Sequence, residues 1–361
     1  LVYLPVELDD IMAIDISHAG FTRRHEVDFS TLVFGKEPTD HMFIMEFYDG
    51  EWHNPRIVPF EDMKISPFAI GLHYGQLVFE GMKAYRMEDG SVSIFRIDKH
   101  HQRFNRSLER MCMPEVPSDI FRESITKLVE MDRMWIPHAE GASLYIRPFV
   151  FASEPRIGVK AADEYIFMVV CSPVNKYYSE PLRVKIETRY NRAMEGGTGM
   201  AKCAGNYGAS LYPAQKAREA GYDQVIWTDA RTNSYIEESG TMNVMFIVDG
   251  GILTPMLGGS ILDGVTRDSI IALATDRGMQ VTEKRISCEE LQDLFESGKR
   301  IEAFGAGTAA VVAPIKSITI GEKEYPCYTS PDATMYTFLK ELQEIRSGAT
   351  DDRHHWNDII H

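Results

Sequence analysis

Long apolar runs are missing from this 361-residue chain, and the longest covers only residues 165–171. That is far short of the ~20 residues that cross a bilayer. No charged-then-apolar leader opens the chain, although its start at Leu1 without a methionine leaves a removed leader open. Cysteine is scarce: Cys112, Cys171, Cys203, Cys288 and Cys327 are odd in number, widely spaced and form no CxxC. This is neither a disulfide framework nor a zinc pattern, and it reads as reduced thiols in a cytoplasmic protein. Positive charge is in deficit, with 38 Lys and Arg against 53 Asp and Glu and a net charge of −15. Such a chain is a poor partner for nucleic acid or an anionic membrane, but a local basic pocket for a small anion is compatible with it. Metal spacing is absent as well: His100 and His101 are adjacent, so they diverge on a helix, and there is no HExxH.

A composition of 44% hydrophobic and 11% aromatic residues indicates a folded core. At ~150 residues per domain the length suggests two domains. Asp49-Gly50, Asp89-Gly90 and Asp249-Gly250-Gly251 separate β-rich runs and predict antiparallel hairpins. Helical spacing appears over 99–111, 118–133, 266–277, 289–297 and 332–346. The fourth of these opens on a capping box, Ser287 to Glu290. The polar tail after the last of them reads as loose. SPVNKYYSEP carries two prolines and no periodicity, which places an interdomain linker at 172–181 between domains at 1–171 and 182–361. Hairpins mixed with helices, without regular βαβ alternation, predict an α+β fold.

Four segments could carry chemistry. In MEGGTGMAKCAGNYGAS (194–210) one lysine, Lys202, sits among glycines that permit close approach of a flat ligand. Such a lysine can act as a Schiff-base nucleophile, with Tyr207 donating to a phenolate oxygen; a Gly-rich surface loop is the other reading. In YIEESGTMNVMF (235–246) Glu237 and Glu238 point to opposite faces of an extended segment. One can then enter an interior site while the other stays solvated, unless the segment is simply an exposed acidic turn. Gly264-Val265-Thr266-Arg267 begins a helix and offers either an anion site or an ordinary Thr cap. Arg103, in KHHQRFNRSLER, is a candidate local cation. Gly305-Ala-Gly307-Thr-Ala-Ala310 mimics a dinucleotide fingerprint. Pro314 follows too soon for the required helix, so a small-residue anion loop is the better reading.

A lysine, a glutamate, a tyrosine and an anion-binding helix start are the parts that hold pyridoxal 5'-phosphate. LHYGQLVFEGMKAY (72–85), SLYIRP (143–148), KCAGNYGAS (202–210), EESGTMNVMF (237–246), LDGVTRDSI (262–270) and FGAGTAAVVAPI (304–315) occur in that order, after LVFG (32–35) and TDHM (39–42). Over 28–346 the chain resembles the branched-chain amino-acid aminotransferases, D-amino-acid-aminotransferase-like pyridoxal-phosphate enzymes of fold type IV. The resemblance implies two domains with the cofactor at their interface. It implies transamination of Leu, Ile and Val with 2-oxoglutarate, giving branched-chain 2-oxo acids and L-glutamate. Lys202 corresponds to the lysine that bonds the cofactor and shuttles the proton, Glu238 to the partner of the pyridine nitrogen, and Tyr207 to the partner of the ring hydroxyl oxygen. Arg103, Val265, Thr266 and Thr308 correspond to the phosphate cup.

By the same resemblance Phe34, Tyr74, Phe79, Tyr145 and Tyr177 wall the branched side chain, though each alone could be ordinary core. Thr241 and Ala309 correspond to the substrate carboxylate site, and Arg147 to an arginine near the pocket mouth for the glutamate side chain. Ile157 and Val159 correspond to a loop that reaches the neighbouring subunit, which implies a homodimer. Mammalian members carry a redox CxxC where this chain has Ala310-Val-Val-Ala313, so thiol regulation should be absent there. Alternatives are a D-amino-acid aminotransferase or aminodeoxychorismate lyase of the same fold, and a non-catalytic binding protein. The FEGMKAY and SLYIRP segments disfavour the first two, and retention of Lys202 disfavours the third.

Overall fold

The structure, a computed structural model, describes residues 12–175 and 180–361. Its helices are α1 Ile70–Tyr74, α2 Ile97–Arg110, α3 Ser118–Met131, α4 Ala204–Glu219, α5 Val265–Asp276, α6 Cys288–Glu296 and α7 Thr334–Ser347. The Asp-Gly hairpins form as expected. At Asp49-Gly50 both residues take positive φ, 53° and 85°, the mirror-image turn that matches strand twist. That turn joins His41–Tyr48 to Glu51–Pro59. Asp249 and Gly250, at φ 51° and 77°, do the same between Met242–Val248 and Gly251–Pro255.

Two sheets organise the chain. The first runs in the order Asp15–Ile16, Glu51–Pro59, His41–Tyr48, Tyr165–Val174, Ser143–Ala152, Met82–Arg86, Val92–Phe95 and Asn357–Ile360, with Leu77–Phe79 pairing Ser143–Ala152. Helices α2 and α3 cover it. Ile120, Phe121, Ile125 and Leu128 of α3, spaced to share one helical face, are buried with Phe43, Phe104 and Phe167. In the second sheet, strands Met242–Val248, Ile301–Gly307, Val311–Ile320, Leu182–Glu187, Gln224–Thr228 and Tyr235–Ser239 pair in succession. The ring closes where Glu238 and Ser239 pair Asn243 and Met242. Parallel pairings on both sides of Leu182–Glu187 make this sheet mixed. Helix α7 bridges the two sheets, since Phe338, Leu342 and Ile345 share one core with Phe95, Met245 and Phe304.

Two local expectations, the tail and the linker bounds, are corrected, and two further segments take definite form. The C-terminal tail is not loose: Asn357–Ile360 adds an antiparallel strand to Val92–Phe95, and Trp356 is buried against Phe95 at 5.6 Å. Strand Tyr165–Val174 runs into the segment expected as linker. The 194–210 segment is not all loop, because α4 begins at Ala204 and accommodates Pro213 inside it. The GxGxxA segment forms a hairpin, with Ile301–Gly307 antiparallel to Val311–Ile320, so no helix follows for Pro314 to interrupt. Elsewhere the helix bounds agree closely, and Ser287 Oγ accepts the Glu290 N–H at 2.9 Å as the capping box requires.

Candidate active site

A cavity of about 180 Å³ opens where the two sheets meet, and most of the anticipated residues line it. Lys202 enters from the start of α4. Its N–H donates to Ser107 Oγ at 2.9 Å and its carbonyl accepts from the Phe79 N–H at 3.0 Å. These bonds tie the lysine to both α2 and the Leu77–Phe79 strand. Its Nζ donates to the Tyr207 hydroxyl at 2.9 Å and lies 5.1 Å from the Phe79 ring centroid. Tyr207, five residues on, reaches back because α4 has already begun.

Strand alternation sends Glu238 into this cavity. Burial raises the Glu238 pKa above the ordinary range, against the pull of Arg192, the Leu262 N–H, Lys202 and Arg103. Its Oε1 accepts from the Leu262 N–H at 2.8 Å, and its Oε2 lies 3.0 Å from Arg192 Nε. That Arg192 N–H has no aligned hydrogen bond among the described residues, so Glu238 keeps acceptor capacity toward the cavity. Glu237 departs from expectation: it is not solvated but 7% exposed, and it accepts from the Ser260 hydroxyl.

The cationic corner is built around Arg103. Its Nε and Nη2 donate to Glu80 at 2.6 and 2.8 Å, and its Nη1 donates to the Asp263 carbonyl at 3.0 Å. His100 Nδ1 approaches Glu80 Oε2 at 2.9 Å. Burial opposes Glu80 ionisation, yet Arg103 and His100 hold its pKa well below the ordinary carboxylate range. Burial lowers the His100 pKa in spite of Glu80. Asp263 leads into α5, whose first N–H groups at Val265 and Thr266 lack intrahelical partners. Thr308 and Ala309 complete the rim in the turn after Gly307. Lys83 Nζ fastens that turn by donating to the Ala309 carbonyl at 2.7 Å. Val311 closes the turn at φ +64°, a conformation a β-branched residue rarely adopts.

The apolar wall comes from the first sheet. Phe34 meets Tyr145 edge-on at 4.9 Å, and Phe79 lies 4.9 Å from Tyr207. Arg147 stacks 4.6 Å from the Phe79 centroid and donates to the Tyr145 hydroxyl at 3.0 Å. Two glycines leave necessary space: a Cβ on Gly81 would sit 1.9 Å from the Tyr145 hydroxyl, and one on Gly264 would sit 1.8 Å from Asn243 Oδ1.

Thr241 lines the cavity with Phe34, Tyr145, Arg147 and Ala309. Tyr74 is not in this cavity: it ends the short helix α1 and is 44% exposed. Ile157 and Val159 are also outside it, 56% and 85% exposed. Tyr177 falls outside the described residues. The residues that sequence reasoning passed over are Glu80, Lys83 and Arg192. Glu80 and Lys83 stand inside the FEGMKAY segment, so the text held them, but their partners Arg103 and Ala309 are remote in the chain.

A flat, anionic pyridine cofactor fits this set. Arg103 and the α5 start offer a cation and free N–H groups to a phosphate, Glu238 retains acceptor capacity for a ring N–H, and the missing Cβ atoms of Gly81 and Gly264 let Tyr145 and Asn243 pack at the cavity rim. Among the described residues no His, Cys, Asp and Glu cluster could hold a metal, and no helix is long and apolar enough to cross a membrane.

Comparison with known proteins agrees. Residues 77–318 match the family described as amino-transferase class IV. The chain is similar to branched-chain-amino-acid transaminase 1 of Bacillus subtilis (strain 168), 48% identical over 305 residues, which cover 83% of this chain and 86% of that protein. A branched-chain aminotransferase from Thermoproteus uzoniensis, solved with norvaline, superposes with a TM-score of 0.73. It is 26% identical, with coverage of 88% of this chain and 100% of that one. The branched-chain amino acid aminotransferase of Escherichia coli also gives a TM-score of 0.73, at 27% identity, with coverage of 88% of this chain and 98% of that one. The family match spans most of the chain and includes the lysine, the glutamate and the anion-binding helix start: this protein belongs to the class IV aminotransferases.

Proposed function

We propose that this chain is a branched-chain amino-acid aminotransferase, dependent on pyridoxal 5'-phosphate, which transfers the amino group of Leu, Ile or Val to 2-oxoglutarate. The observation that carries this reading is the 2.9 Å contact of Lys202 Nζ with Tyr207, set between Glu238 and an aromatic wall. Identity of 48% to a branched-chain transaminase supports the substrate class. When bound, the cofactor supplies an electron sink for the pair left at the substrate Cα.

The chain's own residues do the rest. Lys202 would bind the cofactor, and its Nζ would serve as the general base that takes the Cα proton. Glu238 would accept from the pyridine N–H and favour its protonation, and Tyr207 would hold the ring oxygen. Arg103, Val265, Thr266 and Thr308 bind phosphate. Thr241 and the Ala309 N–H orient the substrate carboxylate. Phe34, Phe79, Tyr145 and, by resemblance, Tyr177 exclude water around an alkyl side chain. An apolar wall separates alkyl groups by only ~1–3 kcal/mol per methylene, so three branched substrates share it. Arg147, already beside the Tyr145 hydroxyl, receives the second carboxylate of glutamate.

The active unit is a homodimer in this reading. Pro155 bridges Ala69 beside α1, so Tyr74 and the 153–159 loop are neighbours. Phe68, Leu72, Tyr74, Ile157 and Val159 expose apolar surface there, and Ile157 and Val159 extend toward a second subunit's site. The two sheets support two domains that divide after the strand Tyr165–Val174, within the expected 172–181 segment, with the last strand returning to the first sheet. The five cysteines are unpaired, which supports a cytoplasmic setting. The test is L-glutamate formation from L-Leu and 2-oxoglutarate by the holoenzyme, which Lys202→Ala should abolish; normal turnover by that variant would overturn the reading.

A further inference from the structure

Glu237 has a cavity of its own. The alternation that turns Glu238 toward Lys202 turns Glu237 to the opposite face of Tyr235–Ser239. There it lines a second cavity of about 560 Å³, roughly three times the volume beside Lys202 (560 against 180 Å³). Glu237 Oε1 accepts from Ser260. Its Oε2 is buried and has no hydrogen-bond partner among the described residues. A buried carboxylate oxygen without a donor costs free energy unless something supplies one. Asp229, in the same cavity, does not share this need, because it already accepts from the N–H groups of Thr232, Ser234 and Tyr235. Apart from Tyr235 at the rim, the apolar lining is aliphatic: Met256 and Met194 stand half-exposed at the mouth, with Ile261 buried behind. Flexible methionines adapt to hydrocarbon of variable shape.

We propose that this cavity is a second small-molecule site, taking an aliphatic ammonium compound whose N–H donates to the Glu237 carboxylate and whose hydrocarbon lies against Met194, Met256 and Ile261. A carboxylate-free amine and an apolar amino acid share this chemistry. Arg285, stacked 3.8 Å from the Tyr235 centroid at the rim, would favour the amino acid by meeting its carboxylate. The site lies on the far side of the strand from the proposed transamination chemistry, so it can be tested without turnover.

The probes are tertiary amines, which cannot form a Schiff base with the cofactor: N,N-dimethylisopentylamine and N,N-dimethyl-L-leucine. Each is titrated calorimetrically into the holoenzyme, with 4-methylpentanoate as the acid that lacks nitrogen. Saturable binding of at least one amine is expected; the acid fits only the carboxylate and alkyl sites beside Lys202, so any binding of it should be unchanged in Glu237→Gln and Met256→Arg. Glu237→Gln should weaken amine binding about thirty-fold or more, the consequence of removing one partner of a buried charge pair. Met256→Arg, at the exposed mouth, should block it with a competing cation. Visible absorbance of the bound cofactor shows that each variant is folded. Tighter binding of dimethyl-leucine that Arg285→Gln reduces identifies an amino acid as the ligand, and tighter binding of the simple amine identifies an amine. Failure of both amines to bind, or binding that neither Glu237→Gln nor Met256→Arg weakens, overturns the proposal and leaves the transaminase reading intact.

Discussion

Arg103 grips Glu80 through two hydrogen bonds, Nε to Oε1 at 2.6 Å and Nη2 to Oε2 at 2.8 Å, with both side chains buried. The guanidinium that lines the cavity beside Lys202 is therefore oriented by a carboxylate rather than free to turn. Its third nitrogen holds the Asp263 carbonyl at the approach to α5.

Glu80→Gln should leave Arg103 as an uncompensated buried cation. Removing one partner of such a pair costs about 3–5 kcal/mol, measurable by denaturant unfolding of the holoenzyme. The pH dependence has a fixed sign. The folded pKa of Glu80 lies below its unfolded value, so its contribution is complete above the ordinary carboxylate pKa of ~4.3 and is lost as pH falls toward the folded value. The variant's stability should accordingly fall less steeply with acid than the wild type's.

Lys83 was legible as a letter in FEGMKAY and illegible as a clamp. Its pKa is pushed down from 10.5 to about 7 by burial and by the Arg346 charge. The unfolded chain then binds more protons than the folded one between those values, so stability should rise with pH from about 7 to 10.5. Lys83→Met should flatten that rise. It should also free the Ala309 carbonyl and raise KM for the amino acid up to about tenfold, the loss of one buried hydrogen bond of ~1–1.5 kcal/mol. Steady-state kinetics with L-Leu checks this; an unchanged KM would show that the turn holds its shape alone.

What could be read in advance divides along a physical line. Asp-Gly turns and the period of α3 are local, and the hairpins and the helix appear where the text places them. Lys202, Tyr207, Glu238 and the α5 start were legible as a set because each sits in a recognisable segment. Contacts closed over long separations were not. Glu80 meets Arg103 across two elements, and Lys83 meets Ala309 across 226 residues. The burial of Glu237 was misjudged because alternation gives two faces but not what covers them. The tail was misjudged because NDII is too short to signal a strand until Val92–Phe95 offers an edge. Tyr74 stands at the end of α1 on the surface assigned to a second subunit, so one chain alone does not bring it to the wall.

Gly81→Ala tests the packing of the substrate wall. The new methyl would overlap the Tyr145 hydroxyl, at 1.9 Å from the glycine's ideal Cβ. Tyr145 must then move, carrying with it the Arg147 contact at 3.0 Å and the Phe34 edge contact. The expected result is a rise of about ten- to a hundred-fold in KM for Leu and for glutamate, from misplacement of the wall and the mouth arginine. Cofactor absorbance should be retained. Unchanged kinetics for both substrates would remove Tyr145 from the substrate site.

The decisive experiment is a half-reaction screen of the holoenzyme without oxo acid, following loss of the cofactor's visible absorbance on adding L-Leu, L-Ile, L-Val, L-Glu or D-Ala. A branched-chain aminotransferase should convert with the three branched L-amino acids and with L-Glu. Conversion by D-Ala alone would refute that assignment.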